Sequence, residues 1–68
     1  MLDPNKLSSL MKKRGFNNRR IAETLTNMGI AISESSFKGY RQGKYNPRLE
    51  VLSGIAKVLS VKEQELLE

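Results

Sequence analysis

Two adjacent arginines, Arg19 and Arg20, follow Asn17 and Asn18 in a stretch that reads as the start of a helix. The N–H groups at a helix N-terminus carry partial positive charge, so each cation placed there is unfavourable by about 0.3 to 1 kcal/mol. A phosphate bound at that end reverses the sign, because the backbone N–H groups and both guanidiniums then converge on an anion. Arg19 and Arg20 are therefore candidate phosphate contacts. Other chemistry is sparse. The chain has no histidine and no cysteine, which removes the commonest general base, the commonest metal ligand, thiolate sites and disulfides. The remaining carboxylates, hydroxyls and lysines form no recognisable catalytic pair. The expectation is a protein that is not an enzyme and takes no cofactor or metal.

Charge distribution points the same way. Residues 1–48 hold ten Lys and Arg against Asp3, Glu23 and Glu34, whereas residues 49–68 hold Lys57 and Lys62 against four glutamates. The net +5 is thus concentrated in the first two-thirds of the chain, as a basic face for a polyanion requires. No apolar run approaches the roughly 20 residues of a membrane span, and Met-Leu-Asp-Pro-Asn is unlike a signal peptide. A soluble, cytoplasmic protein with no membrane partner is expected.

The elements that must position these residues are legible from caps and stops. Asp3-Pro4 opens a first helix bearing Leu7, Leu10 and Met11, with Lys12, Lys13 and Arg14 in its last turn and Gly15 as its stop. Phe16 and Ile21 occupy the two positions of a hydrophobic staple around Asn17. A second helix follows over about residues 18–28, with Ile21, Ala22, Leu25 and Met28 on one face. Gly29 ends it, and Ile30 folds back towards Leu25. Ser33 caps a third helix through about Gln42, which buries Phe37 and Tyr40 and stops at Gly43.

Asn46 and Pro47 read as cap and first residue of a fourth helix, whose core stripe is Leu49, Leu52, Ile55, Ala56 and Leu59. Ser60-Val61-Lys62-Glu63 has the capping-box pattern and predicts a short fifth helix carrying Leu66 and Leu67. The result is one all-α domain over residues 1–68. Near the start of the third helix the outward residues Glu34, Ser35 and Lys38 are polar, and a helix end lined this way suits the major groove.

Taken together, Ile21-Ala22-Glu23-Thr24-Leu25, Ser33 to Phe37, the run from Tyr40 through Arg41-Gln42-Gly43-Lys44 to Asn46-Pro47, and the leucine-rich segment from Leu49 to Leu59 resemble the Cro and phage-repressor helix-turn-helix family. The resemblance covers nearly the whole chain. It implies a compact five-helix lambda-repressor-like fold that binds double-stranded DNA sequence-specifically as a transcriptional regulator, a repressor, with the third helix in the major groove. Phosphate contacts carry over to Asn17, Asn18 and Arg19 at the start of the second helix, and to Lys44, Tyr45 and Asn46 in the loop after the third. Base contacts carry over to Ser33, Glu34, Ser35 and Lys38. Three features depart from the family: a lengthened turn between the second and third helices, Asn18 where glutamine is common, and Gly39 at an outward position often used for reading bases.

One short reading helix recognises few base pairs, so a homodimer on a near-palindromic operator is expected, with Val58, Leu66 and Leu67 as its candidate interface. The rival is a protein-interaction module of the same fold, such as an antitoxin or a transcription-factor docking domain, which Val51 and Val58 favour by widening the apolar surface of the fourth helix.

Overall fold

The computed structural model describes residues 1–68. Four α-helices follow in order, α1 (Pro4–Arg14), α2 (Asn18–Asn27), α3 (Glu34–Arg41) and α4 (Leu49–Leu59), and a single 3-10 turn (Glu63–Leu66) completes the fold. That turn stands where a fifth α-helix was expected. The residue expected to cap it, Ser60, instead closes α4 with a left-handed φ of 57°. The backbone N–H of Lys62 donates to Glu65 Oε2 at 2.9 Å, two residues beyond the anticipated box. Leu66 is then drawn fully into the core, and Leu67 pairs with Leu2 in an antiparallel bridge. Backbone committed to extended pairing cannot continue a helix.

All four helices end in one motif, in which a left-handed residue lets the next N–H reach a carbonyl five residues back. Gly15, Gly29 and Gly43 take that conformation, at φ of 76°, 91° and 75°, and Ser60 takes it in α4. The corresponding bonds run from Phe16 to Met11, Ile30 to Leu25, Lys44 to Gly39 and Val61 to Ala56, all between 2.9 and 3.0 Å. Three helices also begin as expected: Asp3 accepts from the N–H groups of Asn5 and Lys6, Asn17 from Arg20 and Ser33 from Ser36. α4 departs from expectation. It starts at Leu49, after Arg48, without a side-chain cap, because Asn46 Oδ1 accepts from the Leu2 N–H at 3.3 Å and is spent on the N-terminal segment.

α2 packs on α3 and α4, while α1 packs on α3, α4 and the 3-10 turn. Leu7, Met11, Ile21, Leu25, Phe37, Ile55, Leu59 and Leu66 are completely enclosed between them, and no polar residue is buried. Two expected core residues lie outside: Met28, in the turn that leaves α2, and Leu49, which the later start of α4 leaves 71% exposed. Leu2 is buried in addition, and so is Val51, which belongs to the core and does not widen the exposed apolar surface of α4 as expected. The lengthened connection between α2 and α3, residues 28–33, is pinned at its middle. Ile30 Cδ1 fits against Gly54 of α4, so close that a Cβ there would lie 2.5 Å from it.

Candidate nucleic-acid interface

The first turn of α2 distributes its polar side chains to three different places. Asn17, the cap, accepts from the Arg20 N–H at 2.8 Å and holds the helix start. Asn18 is half-buried and accepts at 2.9 Å from Nη1 of Arg41, which reaches back from the last turn of α3. Arg19 is 78% exposed and makes only an i,i+4 ion pair with Glu23, 3.1 Å long. An exposed pair of this kind is worth about 0.3 to 0.5 kcal/mol, so Arg19 exchanges partners readily. Arg20 turns the other way, towards the end of α1. Its guanidinium lies 5.4 Å from the centre of the Phe16 ring and donates to the Gly15 carbonyl at 3.4 Å. The paired arginines therefore diverge: Arg19 borders the groove between α2 and α3, and Arg20 borders α1.

That groove is lined by Arg19, Ala22, Glu23, Thr26, Asn27, Ile32 and Glu34. On α3, Ser33 uses its hydroxyl twice locally, accepting from the Ser36 N–H at 3.1 Å and donating to Ser36 Oγ at 3.0 Å. Glu34 faces the α2 groove. Ser35 and Lys38 face a second concavity, which they share with Gly39, Gln42, Lys44 and Tyr45. The turn at Gly43 produces this meeting, because the Lys44 N–H to Gly39 carbonyl bond folds the following loop back onto α3. Asn46 lies beyond it, tied to Leu2.

Gly39, expected to face outward, is buried beneath Tyr45. Phe37 is enclosed, and Tyr40 stands edge-on to it and to Tyr45, with ring centres 6.1 and 6.2 Å apart. Two residues of this surface had no assigned role in the sequence. Arg41 joins three helices, donating from Nε to Ser8 Oγ at 3.1 Å as well as to Asn18. Gln42 lines the second concavity. A cation and an amide in the last turn of a helix are ordinary surface residues by pattern, and only the chain reversal at Gly43 distinguishes Gln42.

A family model for the Cro/C1-type HTH DNA-binding domain matches residues 6–68. The chain belongs to that family. No curated protein and no solved structure matched it. A Cro/C1-type domain implies double-stranded DNA as the partner, and the exposed cations Arg19, Lys38 and Lys44 are distributed over the α2 start, α3 and the loop after it. No helix of this Cro/C1-type domain is long and apolar enough to cross a membrane.

Proposed function

We propose that this Cro/C1-type domain is a cytoplasmic transcriptional repressor that binds a near-palindromic operator as a homodimer, with α3 in the major groove. The observation that carries this reading is the convergence of Ser35, Lys38, Lys44 and Tyr45 on one exposed concave surface that runs along α3 from its first turn to its C-terminal end. Ser35 and Lys38, with Ser33 and Glu34 at the helix start, contact base edges. Asn17, Asn18 and Arg19 contact phosphate on one side of α3 and Lys44 and Asn46 on the other, while Arg20 reaches the backbone from the flank next to α1. Backbone contacts of this kind fix the register in which a reading helix meets the bases.

Of the expected interface residues, Leu66 is wholly enclosed in the monomer core, and the dimer contact is better served by Leu67 together with the rim of Met1, Pro47 and Leu49. Met1 and Leu49 are the most exposed large apolar side chains of the chain. Sedimentation with and without a selected duplex tests the assembly, and a persistent one-to-one complex on an asymmetric site rules the dimer out.

Arg19→Ala tests the nucleic-acid contact itself. Affinity for specific and non-specific duplex is expected to fall together, and the slope of log K against log salt to shrink by about one unit. Glu23→Gln, which frees Arg19 from its ion pair, is expected to strengthen binding. An unchanged slope in Arg19→Ala removes that residue from the phosphate contacts.

A further inference from the structure

Helix α3 carries a glycine in its interior, at the place where a side chain would project from its outer side. Gly39 has no need of its conformational freedom, since its φ is helical and not left-handed. What requires a glycine is the ring of Tyr45. A Cβ at position 39 would collide with Tyr45 Cε2 and lie 2.7 Å from Cδ2 and 3.0 Å from Cζ. The Cδ2–Cε2–Cζ edge of the ring is therefore seated on bare helix backbone, which leaves the opposite edge away from it. Tyr45 is 56% exposed even so, and it shares its concavity with Ser35, Lys38, Gln42 and Lys44. The loop after α3 thus returns an aromatic side chain to the position that the helix leaves vacant.

We infer that Tyr45 is a specificity-determining residue, standing in for the missing side chain of position 39 and reading a thymine methyl group with its outer ring edge; this rests on the DNA-binding function proposed above. An apolar edge beside the polar Ser35 and Lys38 matches the major groove, where the thymine methyl is the one apolar feature that distinguishes a base pair. A loop residue contacting phosphate alone has no use for a cleared seat on the reading helix.

Selection from randomised duplex DNA by the 68-residue chain and three variants tests the inference. Tyr45→Ala is expected to lose about fivefold to tenfold preference for thymine at one position while keeping the rest of the motif. Tyr45→Phe retains the edge and is expected to retain the preference. Gly39→Ala, which forces the ring off its seat, is expected to lose the same preference as Tyr45→Ala, with circular dichroism checking that each variant is folded. An unaltered motif in Tyr45→Ala, or a uniform loss of affinity for every sequence, overturns the inference alone. So does loss of the preference in Tyr45→Phe. A wild-type chain that enriches no sequence overturns DNA binding and the role of Tyr45 with it.

Discussion

Arg41 has no carboxylate partner, for the single ion pair of the molecule is Arg19 with Glu23. Its guanidinium instead spends two donors on neutral oxygens from two other helices, Ser8 on α1 and Asn18 on α2. A planar fork suits that task, and a lysine ammonium does not reproduce it. Arg41→Met is expected to lower stability by about 1.5 to 3 kcal/mol in denaturant titrations, with Arg41→Lys recovering little of the loss. Such a role was hidden in the sequence because Ser8 lies 33 positions away, and nothing local marks the pairing. The position of Arg19, exposed in the first turn of α2, was legible for the opposite reason: its conflict with the helix dipole is written in adjacent residues. Gly39 falls between the two cases. Its identity was plain, but the tyrosine that covers it approaches only after the chain has reversed.

Helix ends depend on neighbouring residues, which is why Asp3, Asn17, Ser33 and the three left-handed glycines could be read from the chain. The failures occurred where two local signals competed for one residue. Ser60 fits both a helix stop and a capping box, and burial of Val61 and Leu66 against the core decides for the stop. A serine at φ 57° carries a Cβ penalty that glycine lacks. Ser60→Gly is therefore expected to raise stability by about 1 kcal/mol and the thermal midpoint by roughly 4 to 8 °C. Asn46 misled for a similar reason, since its capping oxygen was claimed by Leu2. The lengthened α2–α3 connection makes the reverse point, as its fixed course depends on a distant glycine. Gly54→Ala places a Cβ 2.5 Å from Ile30 Cδ1 and 2.9 Å from Leu25 Cδ2. Over-packing of about 1 to 3 kcal/mol then outweighs the better helix propensity of alanine, so calorimetry is expected to show a net loss.

At the scale of the whole molecule, the all-α class followed from caps and apolar spacing, whereas the choice of residues left outside the core did not. Periodicity extended backwards along α4 puts Leu49 inside; the actual start of the helix puts it on the rim beside Met1 and Pro47. Phe37 shows how little reserve a core of this size has, being the largest of the fully enclosed side chains. Phe37→Ala is expected to cost about 3 to 5 kcal/mol and to leave the chain largely unfolded by far-ultraviolet circular dichroism, whatever its surface retains. The two ends of the chain close the same core. Glu68 N–H donates to the Met1 carbonyl at 3.0 Å, Leu2 faces Leu67, and Asp3 N–H donates to the Leu66 carbonyl at 2.8 Å. Under mechanical tension applied between Met1 and Glu68, these links open one after another from the outermost inward, and no two share the load. The domain consequently yields as a zip, at low force, with Leu2 and Leu66 pulled from the core before any helix begins to unwind.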